Sequence, residues 1–352
     1  MMIEEMKAVT VYGPGDIRME TVKLRSLKPD EMLIKVAYTG ICATDLAIYT
    51  GDCSFVKSGQ IKYPCRIGHE WSGVVCECGS EVKNFKPGDR VITDNGVSCG
   101  YCERCQEGDY GHCLNNKSVG TIDCWDGCFA EYMYMPERHT YHIDDSMTLK
   151  EAALVEPMSI ALAGIKKYDI TSDSRVAVVG TGAIGIGAAV LAKNLGAKQV
   201  IIIGRGKAKL ESALKCGIDD AVSTLDGDVV EQVMDLTDGE GVDFAIETSG
   251  GEETIMNCVR FTKKRGTIAF LAFYEKMINN FDIDVFVGKE QILKGVMGEF
   301  GLVEEAGKIM EKAKLPLDGI ITHEISFDEC VDFIRNYKDT AKTRIKALVK
   351  FD

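Results

Sequence analysis

The chain from Met6 to about Glu156 consists of short runs in which apolar and polar residues alternate, separated by turns rich in Gly and Pro. Alternation with a period of two is typical of half-buried β-strands. It predicts strands at Met32–Tyr38, Gly73–Cys76 and Asp89–Thr93. This part of the chain is therefore predicted to form a β-rich, partly closed barrel.

From Met158 to about Val287 the apolar runs become continuous and are separated by segments with apolar residues at helical spacing. Continuous Val- and Ile-rich runs are typical of parallel strands that are buried on both faces. The predicted strands are Arg175–Gly180, Val200–Ile203, Val242–Ile246 and Gly266–Leu271. We therefore predict a parallel sheet covered by helices, followed by mixed strand and helix patterns at Lys289–Lys294 and Asp339–Lys346.

The first of these strands runs into a glycine-rich turn and then into a helical pattern that stops at Gly196. Free backbone N–H groups and the helix dipole at a helix N-terminus attract a pyrophosphate. The motif alone is weak, but a second strand follows at the distance expected for a βαβ unit. The predicted pyrophosphate-binding residues are Gly180, Gly182, Ala183, Ile184 and Gly185.

The end of the second strand indicates which dinucleotide binds. An NAD site places Asp or Glu there to hold the ribose 2′-hydroxyl, whereas this chain has Gly204 followed by Arg205. Arg205 can lie against a 2′-phosphate, and Lys207 and Lys209 add positive charge. The sequence therefore predicts NADP(H) in preference to NAD(H). The alternative is a basic, solvated turn.

Four cysteines, Cys99, Cys102, Cys105 and Cys113, lie within one short loop that is rich in Gly and charge and has no apolar period. Such a loop has no core to bury, so a tetrahedral Zn²⁺ closed by four thiolates explains the spacing best. The alternatives are a chance arrangement of thiols or two disulfides. We predict a structural zinc site with no open position for chemistry.

A second set of metal-ligating residue types is scattered along the chain. Cys42, His69 and Glu156 each lie near a Gly or Pro turn. One thiolate, one imidazole and a carboxylate give three protein ligands and leave one coordination position open, which is typical of catalytic zinc. Taken singly, each residue is weak support for a metal site. Together with the dinucleotide motif they predict a metal-dependent active site.

Several motifs follow one another in the order found in one family. These are Gly68-His69-Glu70, the strand entry Lys86–Val91, the four-cysteine lobe, Glu156-Pro157 and the glycine-rich turn. Over essentially its whole length the chain resembles the zinc-dependent medium-chain dehydrogenases of the alcohol dehydrogenase superfamily. Glu156, where the alcohol dehydrogenase branch has a cysteine, resembles the sorbitol, polyol and threonine dehydrogenase branch.

The resemblance implies an α/β fold, with a Rossmann doubly wound parallel sheet domain and a β-rich GroES-like catalytic domain. The expected boundaries are 1–157 for the catalytic domain, with its zinc lobe at about 95–115, 158–288 for the Rossmann domain, and 289–352 for the closing part of the catalytic domain. The active site is expected in the cleft between the domains. A homodimer or homotetramer is also expected.

The resemblance also implies roles for individual residues. The catalytic zinc ligands would be Cys42, His69 and Glu156, with Glu70 sharing the position of Glu156 according to state. Thr44 occupies the hydroxyl position that begins the proton relay, but Ala47 replaces the relay histidine, and Asp45 is expected to support the site. The residues expected to hold the ribose and carboxamide are Thr248, Ser249, Leu271 and Phe273. Tyr49, Trp125 and Phe129 are candidates for the pocket wall or, equally, for the core.

Composition limits the partners and the compartment. With a net charge of −13 over 352 residues, nucleic acid and anionic membranes are poor partners. The N-terminus has no secretory h-region, and no run approaches the about 18 apolar residues of a membrane span. We expect a cytoplasmic protein whose 14 cysteines are reduced. The nine cysteines outside the zinc sites are treated as small hydrophobes.

The expected reaction is hydride transfer between a nicotinamide cofactor and a secondary alcohol. The resemblance favours a polyol, sugar derivative or amino-alcohol. Two alternatives remain: a bulkier hydrophobic secondary alcohol such as a steroid hydroxyl, possibly with NAD(H), and a non-catalytic NADP-binding scaffold. A scaffold would have no reason to keep Cys42, Thr44, His69, Glu70 and Glu156 together.

Overall fold

The computed structural model describes residues 4–298, 300–317 and 319–352. Both ends of the chain build a β-rich domain, and the middle of the chain builds a second domain on a parallel sheet. This arrangement confirms the predicted fold class. Among the described residues, no helix is both long and apolar enough to cross a membrane.

The first domain contains ten strands and four short helices from the N-terminal part of the chain. The strands are β1 (Glu5–Gly13), β2 (Asp16–Lys23), β3 (Glu31–Ile41), β4 (Cys65–Arg66), β5 (Glu70–Cys78), β6 (Arg90–Thr93), β7 (Gly96–Val97), β8 (Lys117–Ser118), β9 (Tyr132–Pro136) and β10 (Thr140–His142). The helices are α1 (Ala43–Thr50), α2 (Ser54–Lys57), α3 (Glu103–Gln106) and α4 (Leu149–Ala152). The predicted strands in this region are all present, most of them a few residues longer than predicted.

The second domain begins with the buried helix α5 (Val155–Ile165). Its strands are β11 (Arg175–Val179), β12 (Gln199–Gly204), β13 (Asp220–Ser223), β14 (Val242–Glu247), β15 (Thr262–Phe270) and β16 (Ile292–Gly295). Its other helices are α6 (Ala183–Asn194), α7 (Lys207–Lys215), α8 (Val229–Leu236), α9 (Thr254–Phe261) and α10 (Ile283–Gly288). All strands are parallel, in the order β13-β12-β11-β14-β15-β16. The order reverses between β11 and β14, which is where a doubly wound sheet binds a dinucleotide.

The C-terminal part contributes α11 (Leu302–Ala313), β17 (Ile321–Ser326), α12 (Cys330–Arg335) and β18 (Lys346–Lys350). Strand β18 pairs with β3, so the chain end closes the sheet β10-β6-β5-β3-β18-β17 of the first domain. Residues 292–295 lie elsewhere than the expected boundary at 288/289 implies. Residues 292–295 form the sixth strand of the parallel sheet and lie in the second domain, so the assignment of Lys289–Lys294 to the closing part is wrong.

The apolar cores do not divide cleanly between the two domains. One core surrounds α5 and α6, where Ala and Gly residues permit close packing, and it also includes Ile92 and Leu348 of the β-rich domain. Another core lies on the opposite face of the parallel sheet. A third fills the β-rich domain and includes Trp71 and Phe129. Phe129 is fully buried, so it belongs to the core and not to a pocket wall. Trp125 is partly buried and donates its indole N–H to the carbonyl of Tyr134 at 2.8 Å.

Candidate active site and metal centres

Three potential metal ligands meet where the first domain faces the second. Cys42 precedes helix α1, His69 follows a left-handed Gly68 (φ 97°), and Glu70 begins strand β5. Their ligand atoms all lie within 4.8 Å of one another. Cys42 and His69 are 27 positions apart in the sequence. They meet because β3 and β5, the strands next to them, are adjacent and antiparallel.

Asp45 holds this cluster in place. Its side chain is fully buried in the first turn of α1 and accepts hydrogen bonds from the backbone N–H of Cys42 (2.9 Å) and of Gly68 (3.0 Å). Burial raises the pKa of Asp45, and His69 and the two N–H donors oppose that effect. Asp45 Oδ1 also lies 3.6 Å from Nδ1 of His69. This separation is too long for a hydrogen bond, and among the described residues Nδ1 of His69 is buried without a hydrogen-bond partner.

Glu70 forms a buried ion pair with a residue at the far end of the chain. Lys346 Nζ lies 2.7 and 2.5 Å from the two carboxylate oxygens of Glu70. Burial alone would lower the pKa of Lys346, but Glu70, Cys42 and Glu156 together outweigh burial and raise it, so Lys346 stays charged. Gly40 lies opposite Glu70 on β3, and a Cβ there would overlap Glu70 Oε2. Glycine at position 40 therefore makes room for the carboxylate.

Glu156 lies in the first turn of α5 and is buried, but it is outside the group formed by Cys42, His69 and Glu70. Its Oε1 accepts a hydrogen bond from Asn95 Nδ2 at 3.4 Å. Burial raises the pKa of Glu156 to about 7, with His69 opposing and Glu70 reinforcing the shift. The hydroxyl oxygen of Thr44 lies 3.7 Å from Cys42 Sγ.

The donor set fits a zinc ion. A thiol, an imidazole and two carboxyl groups in one buried region carry more potential negative charge than Lys346 alone can balance. Although burial opposes a charge on His69, Cys42 and Asp45 raise the pKa of the imidazole well above its usual value. The negative charge of these groups stabilises a bound cation. A divalent metal can therefore take the place of the proton.

We expect Lys346→Met to destabilise the protein by about 3–5 kcal/mol, because it leaves the Glu70 carboxylate buried without its partner. Chemical denaturation measures this loss. Glu70→Gln in the same chain is expected to recover much of it. Lys7→Met is the matched control, because Lys7 forms only an exposed pair with Asp328 and its loss is expected to change little. Equal stability of the Lys346→Met and Lys7→Met variants would show that the buried pair is unimportant.

The four-cysteine lobe forms a separate cluster. The Sγ atoms of Cys99, Cys102, Cys105 and Cys113 lie within 4.8 Å of one another. The Cys102–Cys105, Cys99–Cys105 and Cys102–Cys113 sulfur separations are 3.5, 3.9 and 3.9 Å. Four sulfurs at about 2.3 Å from a tetrahedral zinc are about 3.8 Å apart, so the lobe fits the ion with no open position.

Backbone N–H groups turn toward these sulfurs. Cys99 N donates to Cys113 Sγ at 3.2 Å, and Cys102 N donates to Cys99 Sγ at 3.4 Å. Backbone hydrogen bonds from Leu114 and Cys105 lower the pKa of the Cys102 thiol. Donors that stabilise thiolates prepare the lobe for a metal, because the thiolate is the ligand form of cysteine.

The glycine-rich turn lies between β11 and α6 as predicted. Gly180 adopts φ 120°, and a Cβ there or at Gly185 would overlap the hydroxyl of Thr248. Gly182 is the residue before the first turn of α6, and no side-chain cap occupies the free N–H groups there. Backbone N–H groups in this position are available to a pyrophosphate.

Gly204 ends strand β12 beside this turn, and Arg205 and Lys207 are exposed. Lys209 is half-buried, and burial together with the charges of Arg344 and Arg205 lowers its pKa. In the part of the chain that the structure describes, neither Arg205, Lys207, Lys209 nor Arg344 pairs with a carboxylate. Cations that face one another without counter-ions could hold an anionic group of the cofactor.

The other predicted cofactor-binding residues differ in burial and in their contacts. Thr248 donates its hydroxyl to Val179 O at 2.9 Å and so supports the glycine turn. Ser249 is exposed but hydrogen-bonded to the buried Glu247. Leu271 is buried against Gly164, whereas Phe273 is 52% exposed and packs edge-on against Phe55 of the first domain at 5.0 Å.

Sequence reasoning missed two residues, Lys346 and Arg344. Arg344 donates to Tyr337 O and to Thr340 Oγ1, both at 2.5 Å, and its segment lies against Gly206 at the start of α7. The three basic residues of Lys342-Thr-Arg-Ile-Lys346 indicate positive charge, but they do not show where this segment packs in the fold. The position is set by the pairing of β18 with β3.

Comparison with known proteins agrees with this architecture. The model of the alcohol dehydrogenase GroES-like domain matches residues 28–145, and that of the zinc-binding dehydrogenase family matches residues 183–314. The chain belongs to the zinc-dependent medium-chain dehydrogenases of the alcohol dehydrogenase superfamily. It is therefore an alcohol oxidoreductase of the zinc-binding type, which uses a nicotinamide cofactor and a small-molecule alcohol.

Individual relatives match nearly the whole chain. Sorbitol dehydrogenase of Bacillus subtilis is 28% identical over 98% of this chain and 97% of its own length. L-Threonine 3-dehydrogenase of Escherichia coli is 33% identical over 92% of this chain and 94% of its own length. A zinc-binding dehydrogenase from Sinorhizobium meliloti, crystallised with NADP, superposes with a TM-score of 0.90 at 31% identity and covers 99% of this chain and 100% of that one.

Proposed function

We propose that the protein is an NADP(H)-preferring dehydrogenase of polar secondary alcohols, with a polyol, sugar derivative or amino-alcohol as substrate. The observation that carries the reaction type is the meeting of the ligand atoms of Cys42, His69 and Glu70 within 4.8 Å, in a chain that also has a glycine turn at the start of α6 suited to a dinucleotide. The named activities of the sorbitol and threonine dehydrogenase relatives support a polar substrate. Buried carboxyl groups at the site also favour a polar ligand over a hydrophobic one.

Bound groups and protein side chains would supply different parts of the reaction. When bound, zinc would supply a Lewis acid for the alcohol oxygen and the nicotinamide would supply the hydride acceptor. Cys42, His69 and either Glu70 or Glu156 would hold the metal.

Proton removal falls to Thr44. Its hydroxyl is 3.7 Å from Cys42 Sγ, so it can accept the substrate proton at Oγ1 while passing its own proton on. Ala47 offers no group for the next step. We infer that the cofactor ribose or water carries the proton to solvent from there.

Gly204 and the nearby cationic side chains, which have no carboxylate partner among the described residues, support a preference for NADP(H). A Cβ at Gly204 would lie 2.5 Å from Thr181 Cγ2, so a carboxylate side chain at this position meets a steric barrier. Arg205 offers a charged fork to a 2′-phosphate, and Lys207, Lys209 and Arg344 add charge nearby. The NADP-bound state of the Sinorhizobium meliloti structure is in line with this preference.

A panel of alcohols measured with NADP⁺ and NAD⁺ tests the substrate class. Absorbance of the reduced nicotinamide reports turnover. The panel pairs polyols, sugar alcohols and β-hydroxy amino acids with hydrophobic secondary alcohols of similar size. We expect the highest kcat/KM for a polar member with NADP⁺. A hydrophobic alcohol as the best substrate would contradict the proposed class.

We also propose two zinc ions in each chain, one in the Cys42 cluster and one in the four-cysteine lobe. The sulfur separations in the lobe support the second ion. Cys102→Ser is expected to remove about one zinc per chain and to lower the melting temperature by at least about 5 °C, because a structural zinc contributes folding free energy. Metal analysis and thermal unfolding check this result. Cys76→Ser, an exposed cysteine outside both clusters, is the control. Unchanged zinc content in Cys102→Ser would refute the assignment.

A homo-oligomer is proposed from the edge of the parallel sheet. Strand β16 has one neighbour, β15, among the described residues, and its Ile292 and Leu293 are 50% and 36% exposed. An exposed apolar edge strand favours pairing with a second copy. Ile292→Glu is expected to shift the solution mass from a multimer to a monomer, measured by light scattering. Leu225→Glu, at another exposed leucine of the same domain, is expected to keep the wild-type mass. A monomeric wild-type chain would contradict the proposal.

A further inference from the structure

Two cysteines outside both metal clusters lie in direct contact. The Sγ atoms of Cys65 and Cys124 are 3.2 Å apart. Cys65 is buried at the start of the short strand β4, whereas Cys124 is half-buried in the loop that follows β8. The two residues are 59 positions apart in the sequence, so the contact is made by the fold.

Main-chain hydrogen bonds hold the two segments together. Gly127 N donates to Arg66 O at 3.0 Å, and Cys128 N donates to Gly68 O at 2.9 Å. The sulfur of Cys124 also lies 3.6 Å from Arg66 O. A disulfide has sulfurs about 2.05 Å apart, so the pair needs to close by only about 1.2 Å. Rotation of the side chains and a small backbone shift are sufficient.

The environment makes the two thiols unequal. Cys65 donates its S–H to Cys124, which lowers the pKa of Cys124 and raises that of Cys65. Burial acts in the same direction on Cys65. The thiolate is the reactive form of cysteine, and Cys124 is also the more exposed of the two. Cys124 is therefore suited to react first, with Cys65 beside it as the second thiol.

We propose that Cys65 and Cys124 form an oxidation site at which a hydroperoxide is reduced and a reversible disulfide results. The Cys124 thiolate attacks one peroxide oxygen, the O–O bond breaks, and hydroxide or alkoxide leaves, which gives a sulfenic acid. The Cys65 thiol then attacks the Cys124 sulfur, the S–O bond breaks, and water leaves as the S–S bond forms. Each thiol loses one proton and the pair loses two electrons to the peroxide.

The adjacent second thiol determines the end product. A sulfenic acid without a neighbouring thiol proceeds to sulfinic and sulfonic acids, which thiols do not reverse. With Cys65 at 3.2 Å, oxidation of Cys124 stops at the disulfide, and a dithiol reductant restores it. Cys76 provides an internal comparison, because it is exposed and, in the part of the chain that the structure describes, its sulfur hydrogen-bonds to the carbonyl of Val74 and to no second thiol.

The test treats the zinc-loaded enzyme with a molar excess of hydrogen peroxide, follows the reaction over time and analyses its peptides by mass spectrometry without reduction. In the wild type we expect a Cys65–Cys124 cross-link that dithiothreitol removes, while Cys76 proceeds to sulfinic acid. In Cys65→Ser we expect a sulfenic acid at Cys124 that dimedone traps. In Cys124→Ser we expect no cross-link at Cys65, and in Cys76→Ser we expect the cross-link to remain.

Two results would overturn the proposal. One is sulfinic acid at Cys124 in the wild type with Cys65 still a free thiol. The other is modification of Cys124 that is no faster than that of Cys76. If Cys65→Ser fails to fold because the position is buried, the wild type and Cys124→Ser still decide between these results.

Discussion

His69→Ala is expected to reduce turnover more than any other single change, by well over the 10- to 100-fold that loss of a supporting partner costs at a metal site. His69 is the only nitrogen ligand in the cluster with Cys42 and Glu70. Binding of NADPH is expected to be nearly unchanged, because the glycine turn at Gly180 belongs to the other domain. Steady-state kinetics, metal analysis and cofactor titration separate the two effects.

The matched control for that change is His142→Ala. His142 is exposed, stacks on Phe85 and is not part of either metal cluster. It is expected to retain wild-type turnover and zinc content. Substantial turnover by His69→Ala after its metal is lost would place this chain among dehydrogenases that work without catalytic zinc.

Arg205→Leu is expected to lower kcat/KM for NADPH by about tenfold to hundredfold and to leave kcat/KM for NADH nearly unchanged. Charge-assisted hydrogen bonds contribute roughly 1.5–3 kcal/mol each, which corresponds to that range. The exposed Arg260 of α9 provides the control, because Arg260→Leu removes the same charge from the same domain. Equal losses with both cofactors would show that Arg205 acts only through general charge.

Full reversal of preference needs a second change. Gly204→Asp supplies the missing carboxylate, but its Cβ would meet the side chain of Thr181 at 2.5 Å. We therefore expect Gly204→Asp with Arg205→Leu to prefer NADH only when Thr181→Ala is also present. A higher kcat/KM of the wild-type enzyme with NADH than with NADPH would overturn this part of the proposal.

Features encoded within short segments could be predicted from the sequence. The strands β11 and β12 and the intervening turn are predicted because apolar runs and glycines lie within one βαβ unit. The four-cysteine lobe is predicted because all its sulfurs come from 15 consecutive residues, Cys99–Cys113. Such patterns need no knowledge of how distant segments pack.

Features that depend on long-range pairing could not be predicted. The partner of Glu70 is Lys346, 276 residues away, and only the pairing of β18 with β3 brings them together. The domain to which β16 belongs could not be predicted either. Its four residues, two of which are exposed apolar side chains, carry no hydrophobic period that distinguishes one sheet from another. The contact between Cys65 and Cys124 likewise depends on a loop packed against β4.

Stepwise metal removal tests the central claim most directly. A chelator is expected to remove the zinc of the Cys42 cluster first, because one position there is open, and to leave the zinc of the four-cysteine lobe in place. With one zinc per chain, turnover of the polar alcohol and NADP⁺ is expected to be lost while the melting temperature changes little, and added Zn²⁺ is expected to restore turnover. Full turnover in chains that retain only the lobe zinc would contradict a zinc-dependent active site at Cys42, His69 and Glu70.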